Sequence, residues 1–181
     1  MPSKETRICT EEEIRDFVNQ VAKRTLESVS SPSDLAFVGI RTRGEHLARR
    51  ILAGVERDAG WQEIPLGILD ITLYRDDLDE VASQPVVRKT SLPFNVKGKH
   101  LVLVDDVLNT GRSARAALDL IIDFGRPKVI KLAVMVDRGM RELPIHADYV
   151  GKTITPAEGQ DVQVRLKEVD GKDEVVLIDM Q

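Results

Sequence analysis

Cysteine occurs once in the 181 residues, at Cys9, so the chain can close no intrachain disulfide and build no cysteine metal site. No apolar run approaches the roughly 18 residues that a membrane-spanning helix needs. Nothing near Met1 has the charged-then-apolar pattern of a secretory signal, and the chain reads as cytosolic. Repeats and low-complexity tracts are missing. Neither sign of charge dominates: 26 basic against 30 acidic residues leave a net charge of −4, which argues against indiscriminate coating of nucleic acid but permits a local basic face. Two phosphate fingerprints are also absent. There is no dinucleotide G-x-G-x-x-G, and a P-loop would need glycine five residues before Gly111, where Asp106 stands.

What is present suits one domain over residues 1–181 with a proper core. Thr10 to Glu13 reads as a capping box. Behind it Ile14, Phe17, Val18, Val21 and Ala22 recur at helical spacing. Leu35 to Ile40 is a continuous apolar run, as expected of a strand covered on both faces. Leu47, Ala48, Ile51, Leu52 and Val55 form a second amphipathic helix, and residues 66–73 another strand. Residues 75–99 lose this pattern. They read as a long excursion, partly a two-stranded hairpin around Val86 to Arg88, of the kind that serves as an active-site lid.

The core resumes with a strand at 101–104, a helix from about Ser113 to Phe124 stopped by Gly125 and Pro127, and a strand at 129–136. Two β-like segments, 162–166 and 175–178, flank an Asp170-Gly171 turn. Strands alternating with helices predict an α/β domain with a largely parallel central sheet.

The segment LVLVDDVLNTGRS, residues 101–113, carries the chemistry. In parallel sheets ligands bind beyond the carboxyl ends of strands, where Asp105 and Asp106 fall. Adjacent carboxylates can accept from the two hydroxyls of a ribose or face a hydrated Mg²⁺. Thr110, Gly111, Arg112 and Ser113 follow and open a helix, so hydroxyls, backbone N–H groups and a helix N-terminus form a phosphate cradle. A receiver domain also ends a strand in two acids, but on its first strand.

This segment resembles the phosphoribosyl diphosphate (PRPP) motif of type I phosphoribosyltransferases. With Gly39 to Gly44, Asp70 to Asp77, Asp137 to Pro144 and Ala147 to Lys152, the chain is similar over nearly its whole length to one subfamily. That subfamily is the bifunctional pyrimidine operon regulatory proteins and uracil phosphoribosyltransferases. The resemblance implies the type I fold with a lid at 75–99 and a small hood with C-terminal strands over 145–181. It implies transfer of ribose 5-phosphate from PRPP to uracil, giving UMP and pyrophosphate, with Mg²⁺ held mainly by substrate oxygens and no metal held by the protein alone. The 5′-phosphate would lodge at Asn109 to Ser113, with Arg112 adding charge or lying outside, and Val107 and Leu108 would belong to the same PRPP/UMP site. The diol would meet Asp105 and Asp106. Pyrophosphate would meet Arg41, Thr42, Arg43 and Gly44, with Arg88 or Lys89 closing over it.

The base would sit near Val136, Asp137, Arg138, Tyr149 and Val150, with Tyr149 either stacking on it or buried in the core. The alternative is a 6-oxopurine (hypoxanthine or guanine) phosphoribosyltransferase without RNA binding. Those enzymes carry an aspartate where this chain has Asn109, which cannot act as a carboxylate base. The resemblance further implies a homo-oligomer that binds pyrimidine-operon mRNA with UMP as co-regulator. RNA contacts would come from Asn19, Lys23, Arg24, Arg138, Arg141, His146 and Lys152. Asn19, Gln20 and His146 are more neutral than the family's usual residues.

Overall fold

Apolar side chains on both faces of a short segment favour a central strand, and all six residues from Leu35 to Ile40 are buried in the structure. The structure is a computed structural model, described over residues 4–71 and 90–180. Its elements in chain order are β1 (Glu5–Cys9), α1 (Glu11–Ser28), β2 (Leu35–Ile40), α2 (Arg43–Ala59), β3 (Leu66–Leu69), β4 (His100–Leu108), α3 (Arg112–Asp123), β5 (Val129–Asp137), β6 (Tyr149–Thr153), β7 (Gln160–Arg165), α4 (Lys167–Asp170) and β8 (Glu174–Asp179).

The five-stranded sheet has the order β3-β2-β4-β5-β6, and every pair in it is parallel. One face is covered by α1 and α2, through Ile14, Phe17, Val21, Leu47, Ile51 and Val55. The other is covered by α3, through Ala114, Ala117, Leu120 and Ile121. The capping box that starts α1 forms as read: Thr10 N–H donates to Glu13 Oε2 at 2.8 Å, and Glu13 N–H to Thr10 Oγ1 at 3.3 Å.

Several elements depart from the sequence reading. β1 was not anticipated; it pairs antiparallel with β8, and β7 completes a second, three-stranded sheet. β6 joins the main sheet, while β7 and β8 stand outside it with β1. The strand expected at 101–104 runs on to Leu108. The excursion shortens at its far end, because Ser91 exchanges backbone hydrogen bonds with Ile68 (2.7 and 2.8 Å) and Val96 is fully buried. The hairpin read at Val86 to Arg88 lies outside the described residues, as do Lys89 and the far part of the 66–73 strand.

Candidate active site

From β2 the chain crosses through α2 to β3 on one side; from β4 it crosses through α3 to β5 on the other. The connections leave in opposite directions, so a crevice opens between the ends of β2 and β4. β4 outruns β2. Their last paired residues are Gly39 and Val104, whereas β5 accompanies β4 to the pair Leu108–Asp137. Arg41 N–H turns away to Leu69 O at 2.9 Å, and the following Arg41–Thr42 peptide is cis. The open edge of β4 is met by the start of α2 at Gly44. A Cβ there would lie 2.5 Å from Val104 O and 3.1 Å from Asp105 Cα, so only glycine lets the two backbones approach this closely.

Asp105 is buried and Asp106 half-buried. Each carboxylate takes the N–H of the next residue: Asp106 N–H donates to Asp105 Oδ1 and Val107 N–H to Asp106 Oδ1, both at 2.9 Å. The regular alternation of β4 slips across this pair. Val102, Val104 and Val107 pack toward α1 and α2, while Leu101, Leu103 and Leu108 pack toward α3. Asp105 lines the small cavity at the start of α3, while Asp106 lies within the field of the Arg43 guanidinium at the start of α2.

Gly111, with φ of +94°, makes the bend into α3. Gly111 brings no side chain to cap this helix; Thr110 Oγ1 accepts from Arg112 N–H at 3.3 Å, and the remaining first-turn amides point where an anion is most favoured. Asp105, Asn109, Thr110, Gly111 and Ser113 line one small cavity, and the buried Asn109 Oδ1 has no hydrogen-bond partner in it. Arg112 does not add its side chain to the cradle: its Nε donates to Glu142 at 2.7 Å.

The base-side residues are rearranged. Tyr149 begins β6 opposite Ala133, well short of the carboxyl ends, and its ring lies in the α1-side core beneath Arg24, whose guanidinium is 4.6 Å from the ring centroid. It does not face the crevice. Val150 packs on the α3 side and the Val136 side chain is fully buried, so neither presents a side chain to a base. Asp137 does end β5 at the crevice level, and Arg138 follows it. Burial lifts the Asp137 carboxyl, but hydrogen bonds from Arg141 and the Gly139 amide outweigh it, and the group sits below the usual carboxylate range. Arg138 Nη1 is held by Asp161 at 2.5 Å.

Arg41 lies beside Glu45, 3.9 Å away. The Arg43 guanidinium is committed elsewhere than to pyrophosphate: its Nε and Nη2 donate to Asp170 of α4 at 3.1 and 2.8 Å. That pair pulls Asp170 below its ordinary range and is reinforced by Arg50, which grips Glu168 and Asp173. No sequence signal could have found a contact across 127 positions. Arg88 lies outside the described residues.

Of the RNA candidates, Asn19, Lys23, Arg24 and His146 are exposed. Lys152 reaches Ile8 O at 2.7 Å. The Arg141 guanidinium donates within the protein, to Asp137 and to the carbonyls of Leu108, Asn109 and Ile145. Among the described residues no three His, Cys, Asp or Glu side chains converge on a metal-sized site, and no helix is long and apolar enough to cross a membrane.

A parallel sheet with adjacent acids at its switch point and a glycine-led helix start one bend later defines the type I phosphoribosyltransferase class. Comparison with known proteins agrees. The phosphoribosyl transferase domain model matches residues 8–169. A hypoxanthine phosphoribosyltransferase from Trypanosoma cruzi superimposes with a TM-score of 0.73 at 19% identity, covering 97% of this chain and 95% of that one. A hypoxanthine-guanine phosphoribosyltransferase from Bacillus anthracis gives 0.71 at 15% identity, covering 98% and 99%.

Within the class, proteins named Bifunctional protein PyrR are far more similar in sequence. That of Pelotomaculum thermopropionicum is 51% identical over 99% of this chain and 98% of its own length. That of Thermus thermophilus is 53% identical over 91% of each. The chain belongs to the phosphoribosyltransferase family, in its bifunctional PyrR branch.

Proposed function

We propose that the protein transfers ribose 5-phosphate from PRPP to uracil, giving UMP and pyrophosphate, and that it regulates pyrimidine biosynthesis by UMP-dependent binding to pyrimidine-operon mRNA. One observation carries the first half: adjacent carboxylates, Asp105 and Asp106, stand one short turn before a glycine-led helix start at the sheet's switch point. In this reading Asn109 to Ser113 hold the 5′-phosphate and the two aspartates fix the ribose hydroxyls. The 41–44 turn, with Arg41, receives pyrophosphate as the anomeric carbon becomes electron-poor. Arg43 contributes backbone and field rather than a direct grip, and Asp137 and Arg138 wall the base subsite. The paired carboxylates suit Mg²⁺, an oxygen-seeking ion that would arrive with PRPP and neutralise its diphosphate. Regulation is supported by half identity, over nearly the whole chain, to proteins whose name is bifunctional. The same reading includes self-association, which sedimentation measures.

Incubation with PRPP, Mg²⁺ and uracil should release pyrophosphate, and hypoxanthine or guanine should not substitute. Release with the purines alone would replace this reading by the 6-oxopurine one. Gel shifts on a pyrimidine-operon leader should strengthen with UMP; unchanged binding would remove the regulatory half.

A further inference from the structure

An arginine that spends all of its N–H groups inside the protein is held for its shape rather than for its charge alone. Arg141 is such a residue. Its Nε donates to Ile145 O at 2.8 Å, its Nη1 to Asn109 O at 2.6 Å and Leu108 O at 3.4 Å, and its Nη2 to both Asp137 oxygens at 2.6 Å. Its side chain is 15% exposed, as is that of Asp137. One planar fork therefore spans two loops that are far apart in sequence: the end of β4 entering the phosphate cradle, and the segment after β5 where the base subsite begins.

Neighbouring contacts follow the same line. Glu142 and Leu143 N–H groups both donate to Thr110 O, at 2.9 and 3.1 Å. A Cβ on Gly111 would lie 3.4 Å from the Cβ atoms of Leu143 and Ile145, so the segment after β5 backs directly onto the cradle. The carbonyls of Leu108 and Asn109, turned outward to Arg141, fix the peptide planes whose continuation aims the α3 amides at an anion.

We infer that Arg141 is a positioning residue for the nucleotide's 5′-phosphate: it locks the 108–111 turn against Asp137 and so sets the cradle's geometry. This rests on the proposed function and adds to it. Lysine can replace the charge beside Asp137 but cannot bridge three carbonyls at once.

The test uses the full chain, wild type and Arg141→Lys, with UMP and uridine titrated by calorimetry and pyrophosphate release measured against PRPP. The variant should lose about tenfold of the preference for UMP over uridine, with the loss in KM for PRPP rather than in kcat or in KM for uracil. Should it fail to fold, Asp137→Asn, which weakens the same anchor, is read by the same UMP-to-uridine ratio. Equal losses for UMP and uridine would mark a merely structural residue and overturn the inference. So would unchanged UMP affinity with lost leader-RNA binding. Wild type binding neither UMP nor PRPP would instead bring down the functional reading itself, and this inference with it.

Discussion

Replacing Gly44 by alanine probes the approach of α2 to β4 more sharply than any charge change. The added Cβ would lie 2.5 Å from Val104 O, whereas C···O contacts settle at about 3.3 Å or more, so roughly 0.8 Å must be found. Both partners are backbone, and neither can rotate away. Overpacking of this kind costs about 1–3 kcal/mol. Alanine's better helix propensity returns less than about 1 kcal/mol at a helix end. A net loss of about 2 kcal/mol should lower Tm by roughly 4–8 °C for a chain of this size. The start of α2 would also retreat from Asp105, opening the pyrophosphate turn. A shift near 1 Å at such a site can cost about a hundredfold, so kcat/KM for PRPP should fall by ten- to a hundredfold. Calorimetric melting and pyrophosphate release measure the two effects. Gly54→Ala sets its Cβ 3.0 Å from the Ala22 methyl across the α1–α2 contact and 3.8 Å from Arg57 Nη2; it is the control for overpacking away from the site and should lower Tm without changing KM for PRPP. If Gly44→Ala melts with wild type and keeps its KM, the account of this contact is wrong.

Asp105→Asn and Asp106→Asn keep an acceptor for the next residue's N–H but weaken a charge-assisted bond to a hydroxyl by about 1–1.5 kcal/mol; each should raise KM for PRPP about tenfold in the pyrophosphate assay, with little change in Tm. Tyr149→Phe should leave UMP affinity within twofold by titration, because the ring lies in the core beneath Arg24. Asp170→Asn breaks the clamp on Arg43, a largely buried pair, and should lower Tm by about 2–8 °C for a loss of about 1–2 kcal/mol. Asp170 is lowered chiefly by the Arg43 hydrogen bond, and Glu168 by that from Arg50. Groups with depressed folded-state values stabilise above the ordinary carboxylate range near pH 4, and that stability goes as pH falls through the depressed values. Wild type should therefore lose stability below about pH 4, and Asp170→Asn should flatten that dependence in melts at stepped pH.

Periodicity and local chemistry were sufficient for the elements that carry their own signals. The apolar run of β2, the spacing of Ile14 to Ala22 behind the Thr10 box and the succession Asp105-Asp106-turn-helix are local, and the sheet buries or exposes them as their side chains require. Strand β1 has no apolar run of its own and exists because β8 offers it an edge, so its residues were silent in isolation. The placement of Tyr149 was equally invisible: an aromatic residue near the active segments can face either side, and the β5–β6 register alone puts it beside Ala133 in the core. Arg43, Arg138 and Arg141 looked alike in the sequence, three cations near phosphate-like motifs. Only folding decides that Arg43 meets Asp170, Arg138 meets Asp161 and Arg141 bridges two loops, since a long flexible cation takes whichever carboxylates and carbonyls the tertiary fold brings within reach.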